Sequence, residues 1–203
     1  MADCAVTWEQ TLSFSLFALV TSITPGPNNV MLTALGANFG IARGLPCVFG
    51  VSAGFCLMLG LVVTGLGSVI LANPEILDAI RWLGAAFLLW LAWKVATAHR
   101  VDPDREARPV GFLGAAAFQW VNPKAWLIAT SAAATYLEAD AGSALAQSAA
   151  FGGIFFLAAV PCCLAWLAFG AALQRLLHTP RRLRLFNIAM GLTLAGSVVM
   201  FVA

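Results

Sequence analysis

The sequence predicts an all-α integral membrane protein with six transmembrane helices in a 3+3 inverted repeat, helices one and four being broken near the midplane. Three observations predict it. First, the 203 residues are 61% hydrophobic and only 10% charged, with a mean hydropathy of +0.89. A soluble domain carries about 25% charged residues. Second, six apolar stretches approach or exceed the roughly 20 residues that a bilayer-spanning helix needs. Third, the first and fourth stretches carry proline and asparagine where a helix should be unbroken, and Pro25 and Pro123 stand 98 residues apart, close to half the chain.

Segment one runs from about Thr11 to Asn38 and contains Thr24-Pro25-Gly26-Pro27-Asn28-Asn29. Each proline removes a backbone donor and clashes with the preceding turn, and glycine admits conformations that other residues avoid. In lipid the freed backbone groups cannot turn to water, so such a break persists only against protein or a wet cavity. Segment two runs from about Pro46 to Leu71, and its Gly50-x-x-x-Gly54 and later glycines predict close helix packing. Segment three runs from about Ile76 to Ala96, followed by the polar link His99 to Arg108. Segment four runs from about Gly111 to Leu137 and holds Asn122-Pro123-Lys124, where Asn caps and Pro opens a restarted helix. Segment five runs from about Ser143 to Leu173. A basic link with Arg175, His178, Arg181, Arg182 and Arg184 leads to segment six, about Leu185 to Val202. The chain therefore reads as one transmembrane domain over residues 1–203. The first repeat covers about 11–98, the cytoplasmic link about 99–110, and the second repeat about 111–203.

Charge placement orients these segments. Nine of the eleven Lys and Arg residues fall in or beside links one–two, three–four and five–six, including Arg43, Lys94, Arg100, Arg105 and Arg108. The other side has Arg81 and six acids, Asp3, Glu9, Glu75, Asp78, Glu138 and Asp140. The positive-inside rule puts the basic links in the cytoplasm and both termini outside. Reading segments one and four as re-entrant would put Glu138 and Asp140 beside the basic 99–108 link, so crossing helices with a break fit better.

Composition also excludes function classes. A net charge of +2, with no basic cluster interleaved with aromatics, predicts no nucleic-acid partner. Met1 to Gln10 has acids and no basic residue, unlike a signal peptide. Cys4, Cys47, Cys56, Cys162 and Cys163 form no C-x-x-C pair, and His99 and His178 lie in links, so neither a metal site nor a cofactor is expected. No Ser/His/Asp constellation lies at membrane depth, and no enzymatic activity is expected.

Three spans per half mean that the halves enter the membrane from opposite faces, the plan of many secondary transporters with a site between interrupted helices. Both restarted helices would present their N-termini there, where free N–H groups and the dipole favour an anion such as a carboxylate. Lys124 adds a charge costing about 2.5–3.5 kcal/mol at mid-bilayer, with no deep Asp or Glu to offset it. Two partners stay open for it: a substrate carboxylate, or backbone carbonyls at the breaks. Desolvation penalises its charged form, so it is also a candidate proton carrier, with H+ as coupling ion. The candidate substrate-binding residues are Pro25, Gly26, Pro27, Asn28, Asn29, Gln119, Asn122, Pro123 and Lys124. Trp120 and Trp126 flank the second break and are candidates to line the cavity.

At these residues the chain resembles the LysE/RhtB superfamily of amino-acid exporters. The run SITPGPNNVMLTALGANFGIARGLPCVFGVSAG resembles its first third, LGAAFLLWLAWKVATA its third helix, and GFLGAAAFQWVNPKAW its fourth. The resemblance covers about residues 11–200, and its motif residues fall on Pro25, Gly26, Pro27, Asn29, Asn122, Pro123 and Lys124. It implies a bacterial inner-membrane exporter of amino acids or derivatives that uses the proton gradient. Ala134-Thr135-Tyr136-Leu137 departs from the Leu-Pro-Gln-Phe-like stretch of many members. In that, and in Trp93-Lys94-Val95-Ala96-Thr97, the chain resembles the cysteine/O-acetylserine exporter subgroup.

The leading reading is thus a secondary exporter of a small amino acid, embedded in the lipid bilayer, with alternating access around a midplane site. Glycine-rich faces permit a homodimer. The alternatives are a membrane thiol-redox protein, which needs paired cysteines at the breaks, and an ion channel, which needs a pore lined by charge or carbonyls.

Overall fold

The computed structural model describes residues 6–66, 69, 72–98, 109–137, 143–174, 176–177 and 179–202. Asp3, Cys4, His99, Arg100, Arg105, Arg108, Glu138, Asp140, Arg175 and His178 lie outside the described residues. Those described form seven helices and a short π turn, with no strand among them.

Helix α1 spans Trp8–Ile23. A capping box starts it: the Gln10 N–H donates to Thr7 Oγ1 at 3.2 Å, and the Thr7 N–H donates to Gln10 Oε1 at 2.8 Å. It ends because the residue before a proline is pushed into extended backbone, as Thr24 is at φ −62°, ψ 129°. Helix α2, Pro27–Leu61, follows with Pro27 in its first turn. Gly40 interrupts it at φ 77°, ψ 178°, a region nearly exclusive to glycine. Two arms result, and the second continues into the π turn Val62–Leu66. The expected link one–two with Arg43 is therefore not a loop. The chain turns within one residue at Gly40, helix resumes at once, and Pro46 falls inside the second arm.

Helix α3 spans Pro74–Ala96. The fourth segment is two helices, α4 over Phe112–Val121 and α5 over Pro123–Tyr136, with Asn122 between them. Helix α6 is Ala144–Gln174 and α7 is Pro180–Val202. The last begins five residues before its expected start. Thr179 and Pro180 supply the start signal: the Arg182 N–H donates to Thr179 Oγ1 at 3.3 Å. Arg181, Arg182 and Arg184 thus sit on a helix rather than in a link.

By length and composition, four helical stretches can cross a membrane: Pro27–Gly65, Pro74–Ala96, Ala144–Leu173 and Pro180–Val199. Helices α1, α4 and α5 are each too short for a full crossing alone. The outer surface is apolar. Trp8, Leu12, Leu16, Leu19, Val20 and Ile23 stand exposed along α1, and Leu127, Leu157, Leu192 and Val199 do so elsewhere. Such a surface suits lipid and not water, and the protein is a multi-pass membrane protein.

Helix α2 packs chiefly on α6, and α3 on α7. Glycines set the first contact. A side chain at Gly36 would strike the Leu167 carbonyl, and one at Gly170 the Thr33 carbonyl. Gly50 and Gly54 lie against Phe112, Ala115 and Ala116 of α4, so this glycine pair is used within the chain. Two apolar clusters fill the interior. One gathers Met31, Leu35, Val48, Leu88, Phe118 and Leu167; the other gathers Phe14, Phe55, Met58, Ala129, Phe151 and Phe155.

Candidate functional site

Between the two clusters, where α1 gives way to α2 and α4 to α5, lies a small cavity. It is lined by Thr21, Ser22, Gly26, Asn28, Asn29, Val51, Ser52, Phe55, Asn122, Lys124, Ala125, Ile128, Phe155, Ala159 and Cys163. About 40 Å³ of it is open to the centres of water molecules. A water needs roughly 10–15 Å³ by that measure, so the space admits a few waters and no free amino acid. The cavity is closed down in this conformation.

Both breaks reach it, through different chemistry. At α2 the cap residue is Gly26, which offers no side-chain hydrogen bond, and Pro27 has no N–H. The first intrahelical bond is from the Val30 N–H to the Gly26 carbonyl at 3.0 Å. The Asn28 and Asn29 N–H groups precede it in the opening turn. At α5 the Lys124 N–H donates to Asn122 Oδ1 at 3.2 Å, so that N-terminus carries its own cap. The expectation that both N-termini serve an anion is thus narrowed: the side chain of Asn122 takes up one donor at α5, while α2 has no cap.

Lys124 crosses from one break to the other. Its Nζ donates to the Thr24 carbonyl at 2.6 Å and lies 3.4 Å from that of Pro25. These are carbonyls freed where α1 ends, the second of the two partners left open by the sequence. The side chain is half-buried and still lines the cavity, which no acid lines among the described residues. Glu9, Glu75 and Asp78 are in the first turns of α1 and α3 or just beyond, away from it.

The other candidates divide between wall and support. Asn28 and Gln119 exchange amide bonds, Asn28 Nδ2 to Gln119 Oε1 at 2.9 Å and Gln119 Nε2 to Asn28 Oδ1 at 3.1 Å. Gln119 is fully buried, also donates to the Ala115 carbonyl at 2.9 Å, and does not line the cavity. Asn29 Nδ2 donates to the Ser22 and Thr24 carbonyls at 3.1 and 2.9 Å, clasping the first break. Trp126 does the same at the second, its Nε1 donating to the Trp120 carbonyl at 2.8 Å. Neither tryptophan lines the cavity, contrary to expectation; they pack edge to face with ring centres 6.2 Å apart. Pro25, Pro27 and Pro123 shape the backbone and are not lining residues.

Several wall residues were not anticipated. Ser22 is the residue two before the break, and Val51, Ser52 and Phe55 come from the second arm of α2. Phe155, Ala159 and Cys163 come from α6. Phe55 and Phe155 stack with ring centres 4.0 Å apart and form one wall. No local motif marks these positions; they reach the cavity through the α2–α6 packing. Of the cysteines, Cys163 alone among the described residues lines it, and the four described cysteines are free thiols.

The chain is similar to known proteins over much of its length. The chain is 34% identical over 125 residues to a cysteine/O-acetylserine efflux protein of Salmonella typhimurium. It is 32% identical over 126 residues to a cysteine/O-acetylserine efflux protein of Escherichia coli K12. Each aligned segment covers 62% of this chain and 64% of the relative, so the chain matches just under two thirds of their length. No solved structure matches it. The LysE type translocator family matches residues 19–203, including both helix breaks and every wall of the cavity, and the chain belongs to that family.

Proposed function

We propose that this protein is a secondary exporter of small amino acids, of the cysteine and O-acetylserine class, across the bacterial inner membrane. Membership of a translocator family sets it apart from enzymes. The observation that carries the proposal is the cavity between the breaks. There the Lys124 ammonium and the uncapped start of α2 face one space with no acid among its described walls. That is a site for a carboxylate, and the Asn28, Asn29 and Asn122 carbonyls suit an ammonium. The small residues Ser52, Ala125, Ala159 and Cys163 leave room for a short side chain, and the Phe55–Phe155 stack limits a long one.

In the proposed architecture α1 and the first arm of α2 make one crossing, and α4 with α5 another. Their lengths fit: α4 and α5 together rise about 36 Å at 1.5 Å per residue, enough for a hydrocarbon core of about 30 Å. With α3, the second arm of α2, α6 and α7 the crossings number six, as two inverted halves of three. Packing of α3 on α7 and of α2 on α6 is compatible with such a pseudo-twofold plan. Alternating access then rocks the broken helices around the cavity, which widens to take a substrate. Both termini lie outside the cytoplasm, H+ is the coupling ion, and Lys124 exchanges its carbonyl contacts for the substrate carboxylate and carries the proton.

The test is counterflow of labelled amino acids in proteoliposomes, with resistance of overexpressing cells as a second readout. Wild-type protein is expected to show saturable counterflow of L-cysteine or O-acetyl-L-serine. Lys124→Gln is expected to insert normally and lose transport by about 10- to 100-fold, the worth of a hydrogen bond to a charged group. Full proton-coupled transport in that variant would rule out the lysine's role. Absence of counterflow for every amino acid, with no added resistance, would rule out export.

A further inference from the structure

The hydroxyls of α1 and of Thr24 at its end follow one habit. Those of Thr11, Ser15, Thr21 and Thr24 donate to the carbonyl four residues back, at 2.5–2.9 Å. This is the default for a helical Ser or Thr. Ser13 instead meets the Tyr136 hydroxyl at 3.2 Å. Ser22 departs from both. Its Oγ is shut away from solvent and has no hydrogen-bond partner among the described residues. Among the described residues it is the one buried side-chain oxygen or nitrogen in that condition. It also lines the cavity between the breaks.

Its position gives the hydroxyl a purpose. The Ser22 carbonyl accepts from Asn29 Nδ2 at 3.1 Å, which holds the residue against the opening turn of α2. That turn has no side-chain cap. Lys124 stands across the same space, its Nζ on the Thr24 carbonyl two residues further along. The ammonium and the free N–H groups of that turn are donors, and together they draw an anionic group to this end of the cavity. Rotation about the Ser22 Cα–Cβ bond, turning the hydroxyl from its closed position into the cavity, gives it a partner by donation to that anion. Leaving a buried hydroxyl unpaired costs stability, and a bound ligand that accepts from it removes that cost.

We infer that Ser22 is a substrate-binding residue whose hydroxyl donates to the substrate carboxylate, forming one subsite with Lys124 and the first turn of α2. The inference rests on the export reading above. It names three elements that close on one ligand group: α1 through Ser22, α2 through its N-terminus and α5 through Lys124. A carboxylate arriving there ties both breaks together.

The experiment uses the full chain with Ser22→Ala, which removes the hydroxyl, and Ser22→Thr, which keeps it. Three quantities are read: the melting temperature without substrate, KM and maximal rate for O-acetyl-L-serine and L-cysteine counterflow, and the same constants for their methyl esters. In Ser22→Ala the melting temperature is expected to hold or rise, because an unpaired buried hydroxyl is gone. KM for the free acids is expected to rise about 10-fold or more with the maximal rate largely kept. The penalty should shrink to near nothing on the esters, and Ser22→Thr should stay near wild type. A fall in melting temperature with unchanged KM would make the hydroxyl structural and overturn the inference. An equal KM penalty on acid and ester would overturn the carboxylate assignment. Wild-type counterflow with an unaffected Ser22→Ala sinks the Ser22 role alone, whereas no counterflow in wild type sinks the export reading and this inference with it.

Discussion

Gly26 has an extended backbone, φ −175° and ψ 179°, which any residue adopts, so freedom of rotation does not explain it. Space does. A Cβ at Gly26 would sit 2.8 Å from Lys124 Cδ and 3.2 Å from its Nζ. The glycine leaves the corridor through which the lysine reaches the Thr24 carbonyl. Gly26→Ala is therefore expected to fold, because a lysine side chain can swing aside, and to lose transport as Lys124 is pushed off its place. Melting within a few degrees of wild type, together with counterflow reduced several-fold, is the expected pair of results. Unchanged counterflow would show that the lysine's position does not matter. Two amide pairs act on the same scale. Asn28 with Gln119 joins the breaks, and Asn38 with Asn187 joins α2 to α7 through bonds of 3.0 and 3.2 Å. Asn187 also donates to the Ala98 carbonyl at 2.8 Å, at the end of α3. Reciprocal bonding meets the demands of buried amides, each of which would cost about 1–3 kcal/mol if left alone.

Helix α2 shows how one element meets two needs. Its first arm must approach α6 until backbones touch, and its second must take a new direction after Gly40. The glycines at these places differ in kind. Gly36 and Gly170 are needed for room, since a side chain at either would meet a carbonyl of the facing helix. Gly40 is needed for conformation, since nothing lies within 4 Å of its would-be Cβ. Gly153 is needed for neither. Alanine at Gly36 or Gly170 is expected to abolish folding or lower the melting temperature steeply, by the mechanism of overpacking. Alanine at Gly40 is expected to cost about 1–3 kcal/mol, the strain of a non-glycine residue in that region. Alanine at Gly153 is expected to be neutral or to stabilise by about 0.5–1 kcal/mol, as glycine-to-alanine changes inside helices do. Thermal unfolding in detergent ranks the four; a Gly36 variant as stable as the Gly153 variant would contradict the close α2–α6 approach.

For the whole molecule the testable statement is orientation. With the native cysteines replaced, single thiols at Arg43 and Thr179 are expected to react with an impermeant reagent from the cytoplasmic side. Those at Trp8 and Asn73 should react from outside. Labelling of all four from one side would refute six crossings with both termini out. Much of this molecule was legible in the chain. The apolar helices follow from local hydropathy, and the stops before residue 27 and at Asn122 from proline chemistry, because both act within a turn or two. The corner at Gly40 was not legible, since a glycine with positive φ looks like any other glycine in an apolar run. Nor was the start of α7 at Pro180, where arginines suggested a link. The sequence by itself therefore determined where the backbone breaks, which side chains sit at the breaks, and that Lys124 has no deep acid of its own. Only the tertiary structure decided that Lys124 rests on the carbonyls at the end of α1. It alone brought Ser22, the Phe55–Phe155 stack and Cys163 to the same cavity. Those choices depend on how closely α1, α2 and α6 approach across more than a hundred residues of chain, a distance set by packing and carried by no local pattern.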